Sequence, residues 1–294
     1  MLGINGTKFL THSQSKVCPP DAYDELRAPD ALIRHISNVY RNLVNLDDLE
    51  IQAHGPSHPK DRPKKPRKVV VTGKGLRTAS SNKEQGIWLT KLVNHIASKQ
   101  KGPITVLELG TCVGISGMYL LSALERNFGG NLITFEGSPE LARIAELNMD
   151  SLMQEHNFNK TTYSVQVGGI DTMLPDWLKE DDGQIHIAFV DGNHQEKSTV
   201  NYHRLIREKM HKGGLIIHDD INWGDGMAKA WSTVCELEKP AEIGELHLGG
   251  SPSRGIIFLE TTSSDQVEIV HLDRPLERTL RKFKRSINKT FRQS

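Results

Sequence analysis

The chain has 294 residues, of which 37% are hydrophobic and 25% charged, so it can form one sizeable core with extensions. Its formal net charge of +1 argues against a general electrostatic attraction to nucleic acid or to a membrane surface. The three cysteines, Cys18, Cys112 and Cys235, form no CxxC pair, so a zinc knot or a disulfide framework is not expected.

Residues 1–75 are predicted to form an N-terminal extension. Residues 1–16 lack the apolar core of a secretory signal, and no apolar run in the chain approaches the ~18 residues of a membrane-spanning helix, so we expect a soluble cytoplasmic protein. Apolar residues at spacings of three and four predict an amphipathic helix over residues 24–49. Residues 54–68, HGPSHPKDRPKKPRK, predict an exposed basic linker because they are rich in proline and lysine.

Strands and helices alternate through the predicted main domain, residues 76–273. The predicted helices are 85–97, 116–126, 139–155 and 196–211, and the predicted strands are 104–110, 131–137, 162–168, 185–191 and 214–220. Two more strands, 254–260 and 266–272, are separated by a short polar turn and predict an antiparallel edge hairpin. This order indicates an α/β fold of the doubly wound, Rossmann-like kind, with a mostly parallel seven-stranded sheet.

Glycine, carboxylate and histidine residues follow the ends of five predicted strands. Ligands of open α/β sheets bind beyond the carboxyl ends of the strands, so these residues are candidates for one site. Glu136 follows Gly114 by 22 residues, close to the ~20 expected of an acidic residue that holds ribose hydroxyls. Any one of these residues alone is more often a cap or a turn residue. The glycine loop lacks the G-x-G-x-x-G spacing of a dinucleotide site, and no phosphate-binding G-x-x-x-x-G-K-[ST] loop exists.

Two segments, VLELGTCVGIS (106–116) and TFEGSPELARIAELNM (134–149), resemble the cofactor-binding motifs of class I S-adenosylmethionine-dependent methyltransferases. The resemblance extends over roughly residues 80–260. Within that superfamily, EQGIWLTKLV, VDGNH and KGGLIIHDDI are similar to segments of the metal-dependent, catechol-type small-molecule O-methyltransferases. The expected cofactors are therefore S-adenosylmethionine and a divalent cation, with Mg²⁺ favoured.

The resemblance implies a role for each matching position. Glu108, Gly110, Thr111, Gly114 and Ser116 would surround the methionine moiety, Glu136 with Gly137 the ribose, Gly169 and Ile170 the adenine, and Asp191 the methionine end and the metal. The chain departs from the family at three places. GGID replaces a GDA-like motif, His194 stands where a lysine is usual, and Asp219–Asp220 replaces an Asp-Asn pair.

The acidic residues at the strand ends raise an electrostatic question. If the strands that end at Asp191 and at the Asp219–Asp220 pair are adjacent, three carboxylates would repel each other unless a cation lay between them. Oxygen ligands favour Mg²⁺, Mn²⁺ or Ca²⁺. The alternative is that Asp220 caps the next helix and Asp219 binds the cofactor or water. His194 is the predicted general base, with His218 as an alternative base or ligand. Trp223 would form either a wall for an aromatic acceptor or part of the core.

The expected function is methyl transfer to a hydroxyl of a small molecule, assisted by a metal and by a histidine base. One alternative is a metal-independent O- or N-methyltransferase, another an RNA-binding or RNA-modifying protein that uses the basic flanks, and a third a catalytically silent binding module. The N/D-P-P-Y signature of many base N-methyltransferases is absent, which argues against an RNA-modifying protein.

Residues 274–294 predict a basic amphipathic helix, docked on the domain or on a second subunit, or else in contact with membrane or nucleic acid. By analogy with the subgroup, the 24–49 helix would cover the cofactor or form a homodimer contact.

Overall fold

The computed structural model describes residues 8–9, 31–53, 67–181, 183–238, 241–246 and 254–259. The strands in this part of the chain are β1 (Lys8–Phe9), β2 (Leu49–Ala53), β3 (Arg67–Val71), β4 (Ile104–Leu109), β5 (Gly130–Glu136), β6 (Thr161–Val167), β7 (Ile185–Val190), β8 (Met210–His218), β9 (Glu242–Leu246) and β10 (Arg254–Phe258). The α-helices are α1 (Ala31–Asn42), α2 (Gly73–Ala79), α3 (Lys83–Gln100), α4 (Ile115–Arg126), α5 (Pro139–Glu155), α6 (Ile170–Glu180), α7 (Glu196–Arg207) and α8 (Asp225–Leu237). A 3₁₀ turn, Leu43–Asn45, follows α1.

The central sheet has the strand order β6-β5-β4-β7-β8-β10-β9, and the two-residue β1 pairs with β9. Strands β4 to β8 run parallel to one another, whereas β10 runs antiparallel to both β8 and β9. The predicted fold class, a mostly parallel seven-stranded sheet with an antiparallel pair, is confirmed. The chain reverses its direction of winding between β4 and β7, and such a switch point leaves a crevice at the carboxyl ends of the strands.

The antiparallel pair differs in membership from the predicted hairpin. Strand β10 lies between β8 and β9 and pairs antiparallel with both, and β9 was missed because it carries a weak strand pattern. Residues 266–272 and the predicted helix 274–294 lie outside the described residues.

Most of the predicted elements of the main domain are present. Helix α5 begins and ends where the sequence predicts, with Pro139 in its first turn and the Ser138 side chain accepting a hydrogen bond from the backbone N–H of Leu141. The predicted helix 196–211 was too long. It ends at Arg207, and the two glycines interpreted as its stop lie inside β8, where Gly213 has φ +78° at an irregularity in the pairing with β7. Helices α2, α6 and α8 were not predicted.

The N-terminal extension folds onto the main domain. Helix α1 and the 3₁₀ turn occupy residues 31–45 of the predicted helix 24–49, and residues 24–30 lie outside the described residues. Strands β2 and β3 form an antiparallel hairpin that was not predicted. The predicted linker 54–68 therefore connects two paired strands, and its last two residues, Arg67 and Lys68, belong to β3. An exposed two-stranded ribbon lacks a one-sided apolar pattern, which explains why the hairpin was missed.

Helices cover both faces of the sheet. Val106 of β4 packs with α3, α4 and α5 on one face, and the adjacent Leu107 packs with α6 and α7 on the other. Residues Ile115 to Leu124 of α4 are all buried, because this helix lies between the sheet and α3. Within the described residues, we find no helix of the length and hydropathy that a membrane crossing requires.

Candidate active site

A cavity of about 1370 Å³ lies at the carboxyl ends of β4, β5, β7 and β8. Helix α1, helix α2 and the segment before α3 close it on the side away from the sheet. Its wall contains these residues to which the sequence analysis gave a possible role in the site: Gly110, Glu136, Gly137, Gly169, Ile170, Asp191, His194, Asp219, Asp220 and Trp223. It also contains Tyr40, Thr72, Ser81, Tyr202 and Arg254. The expectation that these strand ends converge on one site is thus met by the geometry of the sheet.

The glycine loop after β4 turns sharply beneath the cavity. Gly110 has φ +100°, and a Cβ at this position would lie 2.2 Å from the backbone oxygen of Asp191. A side chain is therefore excluded by both the backbone conformation and the close approach of the two strand ends. The backbone N–H groups of Gly110 and Thr111 both donate to the carbonyl oxygen of Phe135, which fixes the loop against β5. The loop thus brings its backbone close to the ends of both neighbouring strands.

Glu136, the last residue of β5, presents a carboxylate on the cavity wall. Its Oε2 accepts from the backbone N–H of Cys112 at 2.7 Å, and its Oε1 accepts from that of Ser138 at 2.8 Å. Burial raises the pKa of Glu136, and these backbone N–H groups oppose the shift. Each carboxylate oxygen has a second lone-pair direction, so the side chain can still accept hydroxyl protons from a ligand.

Four predicted cofactor residues, Glu108, Thr111, Gly114 and Ser116, are not part of the cavity wall. The Glu108 side chain is fully buried and accepts a hydrogen bond from Thr134 Oγ1 at 2.6 Å, which is the donor that a carboxylate inside an apolar strand requires. Burial raises the pKa of Glu108 to about 7. Thr111 Oγ1 lies 2.5 Å from Thr134 Oγ1, so these polar groups form a buried network behind the glycine loop. Their part in cofactor binding remains a prediction.

His194 lies between two carboxylates. Its Nε2 is 3.4 Å from Asp191 Oδ1 and 3.3 Å from Asp220 Oδ2. Burial by itself lowers the pKa of His194, but the adjacent Asp191 and Asp220 outweigh that effect, so the pKa is raised above its ordinary value. The ring also meets the Trp223 ring edge-on, with centroids 5.0 Å apart, and Trp223 is 63% exposed. An aromatic side chain that lines a cavity with one face open is suited to contact an apolar ligand.

Asp219 is paired with Arg254, a residue that the sequence analysis missed. Arg254 Nε lies 2.9 Å from Asp219 Oδ1 and its Nη2 lies 2.7 Å from Oδ2, a bidentate contact between two buried side chains. The guanidinium also lies over the rings of Trp88 and Phe189, 5.5 Å and 5.1 Å from their centroids. The sequence signal for this pair is an arginine at the start of an apolar strand, which by itself does not indicate a partner. Only the antiparallel register, in which Gly255 pairs with His218, places it beside Asp219.

The predicted divalent-cation site is not supported by this arrangement. Both oxygens of Asp219 are already engaged by Arg254, and Asp191 and Asp220 lie around His194. No three ligand atoms from these three aspartates and His194, all of which the structure describes, lie within 4.8 Å of one another. Arg254 and His194 offset only part of the repulsion among the carboxylates, because burial and the Asp219 charge still raise the pKa of Asp191 to about 7 and also raise that of Asp220. With Asp219 held by Arg254, these residues do not form the shared three-carboxylate site that the sequence led us to expect.

His218, the alternative base or ligand, is not part of the cavity wall. Its Nε2 lies 3.2 Å from His203 Nδ1, and His203 Nε2 lies 3.0 Å from Glu238 Oε1. Burial lowers the pKa of His218 well below its ordinary value, and His203 lowers it further. The imidazole therefore belongs to a buried network on the other side of β8, and the alternative assignment was wrong.

A second polar network, also missed, supports the cavity wall near Gly169 and Ile170. Tyr202 Oη donates to Asp171 Oδ1 at 2.6 Å, and Asn193 Nδ2 donates to Tyr202 Oη at 3.1 Å. Helix α7 thereby connects the loop after β7 to the start of α6. Asn193 has φ +50°, a left-handed conformation that asparagine tolerates better than most residues. A tyrosine in the middle of an amphipathic helix gives no sequence signal for this role.

The fold and the site together define a class of protein. A doubly wound sheet that carries a glycine loop after its first parallel strand and a carboxylate after its second has the arrangement of the class I S-adenosylmethionine-dependent methyltransferases. Residues 107–221 match a family model described as a methyltransferase domain.

Comparison with known proteins finds methyltransferases that act on small aromatic molecules among the relatives of this chain. The chain is 28% identical over 149 residues to the catechol O-methyltransferase of Niastella koreensis, a match that covers 50% of this chain and 60% of that protein. It is 24% identical over 186 residues to the flavonoid 3',5'-methyltransferase of Vitis vinifera, covering 60% and 73% of the two chains. A crystal structure of an O-methyltransferase from Bacillus cereus in complex with SAH has the same fold, with a TM-score of 0.56 at 20% identity, covering 82% of this chain and 96% of that one. By these comparisons the chain is similar to class I methyltransferases of the catechol-type, O-methylating kind.

Proposed function

We propose that this protein transfers a methyl group from S-adenosylmethionine to a hydroxyl of a small aromatic molecule, with His194 as the base. The observation that carries the proposal is that a single cavity has Glu136 on one part of its wall and His194 on another. The first residue type suits a ribose and the second suits proton removal from an acceptor. The two relatives are a catechol and a flavonoid methyltransferase, which favours a hydroxylated aromatic acceptor.

The donor end of the cavity fits S-adenosylmethionine by its chemistry. Glu136 accepts hydrogen bonds and has lone pairs left for two ribose hydroxyls, and Gly169 and Ile170 line the wall where the adenine would lie. Glu108, Thr111, Gly114 and Ser116 would shape the loop from behind instead of touching the ligand. When bound, S-adenosylmethionine supplies an activated methyl group on a sulfonium, so the protein has to provide position and a good nucleophile.

His194 would activate the acceptor hydroxyl by removing its proton. A phenol or alcohol is a poor nucleophile while it is protonated, so a base must take its proton as the methyl group transfers. A neutral imidazole with its proton on Nε2, toward Asp191 and Asp220, keeps Nδ1 as the acceptor. The two carboxylates would then stabilise the imidazolium that forms.

Arg254 would supply the positive charge at this end of the cavity. Its Nη1 is buried and makes no hydrogen bond to any residue that the structure describes, and Arg254 contributes to the cavity wall. A guanidinium held by Asp219 supplies a fixed positive charge at this part of the wall, which would stabilise a developing phenolate oxygen electrostatically. The proposed reaction therefore uses no divalent ion at the three aspartates.

The test combines binding and turnover on metal-free full-length protein. Calorimetry should show S-adenosylmethionine binding, and a panel of catechols and flavonoids should reveal methylated hydroxyls by mass spectrometry. Addition of Mg²⁺ should leave the rate unchanged. A rate that appears only with Mg²⁺ would contradict the proposed role of Arg254, and methylation restricted to amine acceptors would contradict the hydroxyl assignment.

A further inference from the structure

We infer that His35, Glu155 and His156 form a binding site for a divalent transition metal such as Zn²⁺, away from the catalytic cavity. His35 lies on α1, Glu155 is the last residue of α5, and His156 follows it. One ligand atom from each side chain lies within 4.8 Å of the other two. None of the three lines the cavity.

The distances within the cluster suit a tetrahedral ion. His35 Nδ1 is 3.1 Å from Glu155 Oε2, and His156 Nε2 is 3.8 Å from Glu155 Oε1. Ligands about 2.1 Å from a tetrahedral Zn²⁺ are about 3.4 Å from each other, a value that the two observed distances bracket. The two distances involve different oxygens of Glu155, so a zinc ion would draw together three ligand atoms that now lie within 4.8 Å of one another, and a water molecule would complete the coordination.

The burial of its two histidines distinguishes the cluster from an ordinary surface ion pair, although the Glu155 side chain is 63% exposed. The side chains of His35 and His156 are only 9% and 16% exposed, and the two rings meet edge-on with centroids 5.4 Å apart. His156 Nε2 is buried and makes no hydrogen bond within the described part of the chain. A buried imidazole nitrogen without a partner loses free energy relative to water, and a metal ion would remove that cost.

The backbone holds the cluster at a place that favours a cation. His156 is the C-cap of α5, and the next residue, Asn157, has φ +54°, so the chain turns back and the N–H of Phe158 donates to the carbonyl oxygen of Met153. The last turn of a helix carries partial negative charge on its free carbonyl groups. Two imidazoles and one carboxylate are typical zinc ligands, whereas Mg²⁺ and Ca²⁺ prefer all-oxygen sites.

The metal would fix the N-terminal helix in place. It would connect α1 to the end of α5, two elements that are far apart in sequence, and α1 also carries Tyr40 on the cavity wall. An ion at this position would therefore stabilise the covered form of the cavity without taking part in the reaction. The expected role is structural.

Zinc binding by the full-length chain, freed of any affinity tag and of metal, tests the inference. Calorimetry should show one equivalent of Zn²⁺, with an affinity at least about 100-fold weaker in His35→Ala and in His156→Ala. A matched control is His211→Ala, which removes a histidine from another close pair, stacked on His186 with centroids 4.7 Å apart, and should leave the affinity unchanged. Co²⁺ bound to the wild-type chain should give the strong visible absorption of a tetrahedral site.

The outcomes separate the site from adventitious binding. The inference is overturned if the wild-type chain takes up no stoichiometric zinc, or if His35→Ala and His156→Ala bind it as tightly as the wild type. Zinc should also raise the melting temperature of the wild type and of His211→Ala, but not of the other two variants. If the metal-free variants have the same melting temperature as the metal-free wild type, misfolding does not explain their loss of zinc binding.

Discussion

Arg254 binds Asp219 through two hydrogen bonds, of 2.9 and 2.7 Å, and both side chains are buried at the rim of the cavity. The pair occupies the place where the sequence led us to expect a metal ion among three aspartates. A fixed guanidinium neutralises the carboxylate without ligand exchange, whereas a metal site would need open positions for its acceptor. The Arg254–Asp219 ion pair should therefore affect both the stability of the fold at this rim and the way in which the rim can stabilise charge on a ligand.

Replacement of Arg254 by methionine should destabilise the fold by about 3–5 kcal/mol, because Asp219 would be left as a buried charge without a partner. Urea unfolding monitored by circular dichroism would measure the loss. The double variant Arg254→Met/Asp219→Leu should recover much of the stability, since it removes both charges. Lys68→Met, which breaks the exposed contact with Glu50, should have little effect. Equal losses in the single and double variants would show that packing, and not charge pairing, explains the effect.

His194→Ala should lower turnover by about 100-fold or more while the affinity for S-adenosylmethionine stays unchanged, because general base catalysis contributes at least that much. The wild-type rate should rise with pH. His194 cannot act as a base while it is protonated. Because its pKa is raised above the ordinary histidine value of 6.5, the rate should begin to fall, as the pH is lowered, at a pH above 6.5. Rate profiles from pH 5.5 to 9 would test both points. A variant profile with the same acid limb as the wild type would rule out His194 as the base.

Glu136→Ala should weaken S-adenosylmethionine binding by about 100-fold or more, since hydrogen bonds to a charged group contribute roughly 1.5–3 kcal/mol each and two ribose hydroxyls would be lost. Calorimetry measures this directly. The matched control is Glu140→Ala, a carboxylate four residues later that accepts hydrogen bonds from Gln52 N and Ser138 Oγ and does not line the cavity. Unchanged affinity in Glu136→Ala would remove the ribose role.

Trp223→Ala should raise the KM for an aromatic acceptor several-fold with little change in donor affinity. Trp223 is largely exposed, lines the cavity and meets the ring of His194, so its loss removes apolar contact area beside the base without opening a core. Steady-state kinetics with the preferred catechol or flavonoid would show the change. If Trp223 were only a packing residue, the melting temperature would fall and the KM would not change.

Much of the fold could be predicted because its signals are local. Helix α5 has its cap, its proline and its apolar spacing within one stretch of 18 residues, and its bounds were correct. Strands β4, β5 and β7 are largely apolar runs, a pattern that burial on both faces favours. The convergence of Glu136, Asp191 and His194 followed from the rule that parallel strands end at the same edge of a sheet.

The sequence by itself thus determined the alternation of elements, the parallel sheet and the residues at its functional edge, because each depends on neighbours along the chain. Only the tertiary structure decided which charges meet there. Arg254 lies 35 residues from Asp219, and the register of an antiparallel strand placed inside the sheet brings the two together. Local periodicity carries no information about that register, so Arg254 could be identified as the partner of Asp219 only from the folded chain.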